Sequence, residues 1–191
     1  MDVLTVQKRN PEIKAKKLRH SGLVPGIVFG GHLQDSIPVQ MDDISAQKLV
    51  RSKREGSRLQ LKLDGHTIPV QIKEKEIDTL RNEIIHISFQ ALSADQKVNS
   101  VIHVIPCNSD IIAGTLEKLL LEIPYASFPA DMIDSISIDL EGLPVGTVLT
   151  VGDIPELKNE KLEVQVDMDS IVLRINDKIR LEKQTSEEAA E

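Results

Sequence analysis

The chain has 191 residues, of which 40 % are hydrophobic and only 2 % aromatic. That suffices for one large domain or two small ones with cores of Ile, Val and Leu. One Cys excludes a disulfide framework and a multi-cysteine zinc site. No stretch approaches the ~20 apolar residues of a membrane span, and the opening MDVLTVQKRN has no signal-peptide layout, so a soluble, cytoplasmic protein is expected. The net charge of −7 is uneven: residues 1–90 carry +4 and residues 91–191 carry −11. Such a split points to a basic half for a polyanion and an acidic half for another task.

Val3 to Val6 is short and β-branched, as a strand requires. A helix is then expected to start with Asn10 as cap, Pro11 in the first turn and Glu12 behind it, and to stop at Gly22. Its apolar stripe is thin (Ile13, Ala15, Leu18), and Lys14, Lys16, Lys17 and Arg19 surround it. Leu23 to Phe29 reads as a buried strand ended by Gly30-Gly31, and Ile37 to Met41 as another. A second helix is expected from about Asp43 to Glu55, capped by Asp42 or Asp43 and closed by Gly56.

Arg58 to Leu63 alternates strictly, Asp64-Gly65 is a favoured two-residue turn, and His66 to Lys73 alternates in opposite phase. The hairpin pairs Leu63 with His66, Leu61 with Ile68 and Leu59 with Val70, placing the apolar residues on one face. The other face receives Arg58, Gln60, Lys62, Thr67, Gln71, Lys73 and Lys75. Pro69 points to an edge or bulged position. In the next strand Ile85, Ile87 and Phe89 are expected inward, with His86, Ser88 and Gln90 outward.

The polar run Ala91 to Gln96 marks a boundary, giving domains at 1–92 and 93–178 and an acidic, disordered tail at 179–191. Strands are expected at Val101–Ile105, Leu119–Ile123, Ser135–Leu140, Leu162–Val166 and Ile171–Ile175, with five prolines between segments. The fold class is therefore mainly β: an α+β, barrel-like N-terminal domain with two helices, then an all-β C-terminal domain.

Little in the chain points to catalysis. Gly30-Gly31 lacks the rest of a phosphate-binding loop and reads as a tight turn. Cys107 lies four residues after His103, but no base–orienter arrangement accompanies them, so inert packing is the stronger reading. The five His residues lack metal-ligand spacing. No catalytic residue, metal, cofactor or small-molecule substrate is assigned. What remains is the basic helix and the polar sheet face, which from composition alone read first as an ordinary solvated surface and second as one that suits the wide, shallow minor groove of RNA.

The order of segments resembles a known family. Lys16-Lys17-Leu18-Arg19-His20-Ser21-Gly22-Leu23-Val24-Pro25-Gly26-Ile27-Val28-Phe29-Gly30-Gly31 is similar to the "RRLR-x-x-G-x-x-PAVVYGG" stretch of the bacterial large-subunit ribosomal protein family numbered twenty-five. The two-domain branch of that family is also called the general stress protein Ctc. Ile84 to Phe89 resembles its "x-x-H-x-DF". Ala113 to Leu116, Phe128 to Ile133, and Leu143 to Gly146 followed by Val151 to Ile154 resemble its C-terminal segments. The resemblance implies a non-catalytic protein of the large ribosomal subunit whose barrel-like first domain binds 5S ribosomal RNA. It implies a second domain less tied to RNA, with ribosomal-protein neighbours.

Carried over by position, the resemblance places RNA contacts at Lys16, Arg19, Phe29, Lys73, Glu76, His86 and Ser88, with Arg9 and Lys14 nearby. Five positions depart from the family pattern. Phe29 lacks the usual tyrosine hydroxyl, Glu76 has a carboxylate where an amide is usual, Ser88 replaces an aspartate, and Lys16 and Lys17 lose the bidentate geometry of arginine. The departures at Phe29, Glu76 and Ser88 motivate an alternative, a stress-related paralogue acting as a protein–protein adaptor through its acidic domain with weakened RNA binding.

Overall fold

The computed structural model describes residues 2–159 and 161–177, so the expected acidic tail lies outside the described residues. The described residues divide into two compact units, residues 2–100 with 128–132, and residues 101–127 with 133–159 and 161–177. Among the described residues, no helix is long and apolar enough to cross a membrane.

The first unit opens with β1 (Val3–Lys8), α1 (Ala15–His20), β2 (Leu23–Phe29), β3 (Ile37–Asp42) and α2 (Asp43–Ser52). It continues with β4 (Arg58–Leu63), β5 (His66–Asp78) and β6 (Glu83–Ala91). The strands close a barrel in the order β1-β3-β2-β6-β5-β4. Two parallel contacts, β1 with β4 and β2 with β6, sit among antiparallel ones. Closure leaves no free sheet edge. Inside lie Leu4, Val6, Val28, Val39, Leu59, Leu61, Val70, Ile72, Ile87 and Phe89, joined by Ala46 and Leu49 of α2.

The β4–β5 hairpin has the expected register, with Leu63 opposite His66, Leu61 opposite Ile68 and Leu59 opposite Val70. Asp64 and Gly65 both take positive φ, 49° and 86°, as a twist-matched two-residue turn needs. β5 is not an edge strand, because β6 flanks it. Pro69 is tolerated because the β5–β6 register starts only at Val70 opposite Ala91. Such a turn makes Leu63 and His66 a hydrogen-bonded pair, so Pro69, three residues on, has its nitrogen directed away from β4. Its carbonyl still accepts from the Leu92 amide.

Both helices are shorter than expected, for traceable reasons. Asn10 Oδ1 accepts from the Glu12 amide at 3.0 Å in a local turn rather than capping a helix. The Ile13 carbonyl, which a longer helix would offer to Lys17, instead accepts from Arg9 Nη2 at 2.9 Å. Lys17 bonds to the Lys14 carbonyl, and α1 starts at Ala15. α2 is capped by Asp42, which accepts from the Ser45 amide, and it ends at Ser52 rather than Glu55. Beyond it the chain is drawn onto β5. Lys75 Nζ donates to the Lys53 carbonyl at 2.9 Å, and Glu55 accepts from the Lys75 amide at 3.0 Å.

The second unit contains most of β7 (Val98–Cys107), then β8 (Thr115–Lys118), β9 (Glu122–Ser127), β10 (Ser135–Asp139), β11 (Val148–Thr150), β12 (Glu163–Val164) and β13 (Ile171–Asn176). They form a four-stranded sheet, β10-β7-β9-β12, and a three-stranded one, β11-β13-β8. The strand expected at Leu119–Ile123 lies later, at Glu122–Ser127, because Leu119 and Leu120 bond through their amides to the Val172 carbonyl and turn the chain. The core gathers Ile102, Val104, Ile123, Tyr125, Ile136 and Val172. The Tyr125 hydroxyl donates to the Ile133 carbonyl and accepts from its amide, both at 2.9 Å, so the buried ring carries no unmet polar atom.

Gly26 marks the tightest approach in the barrel. A Cβ there would stand 2.8 Å from the Ile87 carbonyl oxygen and 3.1 Å from Met41 Cε. The oxygen belongs to the strand that β2 pairs with, so it cannot move without parting β2 from β6. Gly26→Ala is expected to cost about 1–3 kcal/mol through overpacking, seen as a lower urea midpoint; an unchanged midpoint would contradict this packing.

Candidate nucleic-acid interface

The phase of β5 decides what its outer face presents. Ile68, Val70 and Ile72 alternate inward, and continuing that phase would send Glu74 and Glu76 into the barrel. Burying two unpaired carboxylates there would be costly. Instead the register slips: Ile72 lies opposite Phe89, and Glu74 opposite Ser88. Lys73 is the extra residue of this bulge. Beyond it Glu74 and Glu76 join the outward row with Ser88 and His86, and Lys75 takes the inward phase opposite Ile87. The polar face expected to carry Lys75 therefore loses it. Lys75 is partly buried, and desolvation holds its ammonium pKa below the ordinary lysine value.

A second slip lies between Glu76 and Ile77, where Ile77 pairs with Ile84. Ile84 is buried in place of the expected Ile85. The freed Ile85 carbonyl accepts from Arg19 Nη1 at 3.4 Å, while Arg19 Nε donates to Glu83 Oε1 at 2.9 Å. This half-exposed ion pair pins α1 against the start of β6. With Leu18 buried beneath it, the helix leaves Lys14, Lys16 and Lys17 exposed. Its lysines thus lie beside the sheet, although the helix is only six residues long.

Across the outer face, the rows run from β5 through β6 to β2. Gln71 lies opposite Gln90, and Gln90 beside Phe29; Glu74 lies opposite Ser88, and Ser88 beside Ile27; Glu76 lies opposite His86. The first row is closed to solvent at one end. Gln71, expected on the exposed face, is fully buried, and its Nε2 donates to Gln90 Oε1 at 2.9 Å and to the Asn99 carbonyl at 3.1 Å. Lys73 Nζ reaches the same carbonyl at 3.3 Å. Ser88 Oγ and His86 Nδ1 are 3.4 Å apart.

Burial is the main reason that His86 has a lowered pKa; Glu76 and Glu74 oppose the shift, and Arg9 adds to it. Arg9 therefore acts on the same patch, braced by its bond to Ile13. The structure thus brings Phe29, Lys73, Glu76, His86 and Ser88 onto one face, with Arg9 within electrostatic range. Lys14, Lys16 and Arg19 lie on or just before the flanking helix. Arg19 is held by protein groups rather than extended. Glu74 was missed in the sequence, although the apolar alternation ending at Ile72 before two glutamates in the inward phase was a legible sign of a bulge.

His103 and Cys107 are not brought together as a thiol–imidazole pair. His103 and Cys107 lie four residues apart on one strand, about 13 Å at ~3.3 Å per residue. His103 is buried with Nδ1 3.7 Å from Glu122, and Cys107 Sγ points to the Ile105 carbonyl. Gly30 and Gly31 take φ of 78° and 60° in a turn, with Ala91 packed against Gly31.

Comparison with known proteins places both halves. The Ribosomal L25p family model matches residues 4–89, and the model for the C-terminal domain of ribosomal protein TL5 matches residues 97–178. The chain is 33 % identical to the large ribosomal subunit protein bL25 of Geobacillus thermodenitrificans, over 78 % of this chain and 74 % of that one. It is 30 % identical to bL25 of Bacillus pumilus, over 84 % and 77 %. For bL25 of Listeria monocytogenes the identity is 26 % over 98 % and 92 %.

His86 gives the patch a pH signature. Unfolding returns the imidazole to water and to its ordinary, higher proton affinity, so the unfolded chain binds more protons. Its contribution to stability is fully present above the unfolded value of about 6.5 and is lost as pH falls through the lowered folded value. His86→Gln is expected to reduce the fall in urea midpoint between about pH 7.5 and about pH 5; an undiminished fall would show that His86 does not carry it.

Proposed function

The chain belongs to the Ribosomal L25p family, and on that premise we propose that this non-catalytic protein of the large ribosomal subunit binds 5S ribosomal RNA through α1 and the outer face of β2, β6 and β5. The observation that supports this most is the pinning of a lysine-rich helix beside a polar sheet face by the Arg19–Glu83 pair. The two surfaces suit different parts of one ligand. Lys14, Lys16 and Lys17 are long, exposed cations that neutralise phosphates and release counterions. The sheet offers hydrogen-bonding side chains, Ser88, His86, Glu74 and Glu76, together with the rim of Phe29.

Phosphate contacts fix position, and base contacts carry sequence. A carboxylate among phosphates is repelled unless it accepts from a base amino group. Glu74 and Glu76 therefore belong opposite base edges, and the lysines opposite the backbone. A wide, shallow RNA minor groove, which shows base edges and 2′-hydroxyls, can meet a sheet face in this way. Phe29, without a hydroxyl, contributes packing or stacking rather than a hydrogen bond.

The full chain should bind 5S ribosomal RNA more tightly than an unrelated RNA duplex of the same length, with a steep salt dependence. Lys16→Gln with Lys17→Gln should lower the slope of log affinity against log salt by roughly 1.4–1.8, at about 0.7–0.9 per phosphate contact. Equal, weak binding to both RNAs would overturn the reading.

A further inference from the structure

The connection between β5 and β6 presents side chains that neither the barrel nor the sheet-face site uses. Leu80 at its tip is 97 % exposed, and the preceding Ile77 is 40 % exposed. Arg81 has 75 % of its side chain in solvent, with only a loose contact of 3.9 Å to Asp78. The tip is nevertheless ordered by its own bonds. Asp78 Oδ1 accepts from the amides of Leu80 at 3.0 Å and Arg81 at 3.2 Å, and Asn82 takes a positive φ of 52° to bring the chain into β6. A single exposed leucine is ordinary on a protein surface. This one is distinguished by its neighbours.

The next residue after Asn82 is Glu83, whose carboxylate is held by Arg19 of α1. An open cleft of about 400 Å³ lies between helix and tip, lined in part by Arg19, His20, Arg81, Asn82 and Glu83. Of the carboxylates there, Asp78 accepts from the turn's own amides, Glu83 is paired with Arg19 and Asp43 accepts from Gln47, while Arg19 and Arg81 line the same cleft. The tip lies past the strand ends, and the strand residue next to it, Glu83, is roughly 10 Å from His86 at about 3.3 Å per residue. A ligand lying on the sheet face and α1 passes it before leaving the protein.

We infer that the β5–β6 tip is a second RNA contact, in which Arg81 meets a backbone phosphate and Leu80 packs on an exposed ribose or base beside it. This rests on the RNA-binding reading above and adds a site outside the sheet face. The ordered turn holds both groups in place before binding, which limits the entropy lost there. Arg19, by pairing with Glu83, ties α1 to the start of β6 next to the tip.

The test measures binding of the full chain to 5S ribosomal RNA over a salt series, for the wild type, Arg81→Gln, Leu80→Ser and Lys73→Gln. All three positions are exposed, so the variants should melt with the wild type. Arg81→Gln should weaken binding several-fold and lower the salt slope by about 0.7–0.9. Leu80→Ser should weaken binding with no change of slope, as expected for an apolar contact. Wild-type affinity and slope in both tip variants, with Lys73→Gln impaired, would overturn the tip contact and leave the sheet-face reading standing. Failure of the wild type to prefer 5S RNA would overturn both. Unchanged RNA binding with lost incorporation into large subunits would assign the tip to a protein neighbour and also overturn the RNA contact.

Discussion

Carboxylates cannot be left unpaired inside a closed apolar barrel, and the outer face of β5 and β6 follows from that constraint. Glu74 and Glu76 continue the inward phase of β5. One extra residue, Lys73, turns both outward. The same shift sends Lys75 inward, where its ammonium reaches the Lys53 carbonyl and its amide bonds to Glu55. That tie ends α2 and fixes the segment between α2 and β4. A single bulge thus keeps the interior apolar, terminates a helix and places two acceptors beside His86 and Ser88.

The second slip, between Glu76 and Ile77, works in the same economical way. It frees the Ile85 carbonyl for Arg19 and sets Glu83 where the guanidinium can pair with it. A partly exposed pair of this kind contributes little to global stability. Its consequence is geometric. α1 is too short to hold its own orientation, and Leu18 gives it one buried anchor. Arg19 supplies the second, and two anchors fix the direction in which the lysines point.

The two units divide the charge. The first holds the basic helix and the mixed polar face; the second is built on a separate aliphatic core around Tyr125 and carries most of the excess acid. Acidic side chains repel a polyanion, so the charge division favours the first unit for the proposed RNA contact. Membership of the Ribosomal L25p family agrees with that division, since its model covers the barrel while a different model covers the rest.

Local patterns determined much of this protein. Strict alternation about Asp64-Gly65 sufficed for the hairpin register, because a two-residue turn permits no other pairing of the apolar rows. The lysine run before Gly22 announced the basic helix, and residue order across the chain identified the family. The sequence alone did not show where periodicity breaks. The start of α1 depended on Arg9 capturing the Ile13 carbonyl, and the end of α2 on Lys75 capturing that of Lys53. Gln71 was read as solvated because its phase is outward; only the folded chain brings the Asn99 carbonyl over it. Short-range pattern reports which face a residue takes while the period holds. Burial of an outward face and the end of α2 are settled by partners twenty or more residues away, and the start of α1 by a side chain only four residues away whose reach the period does not encode; those only the tertiary structure decided.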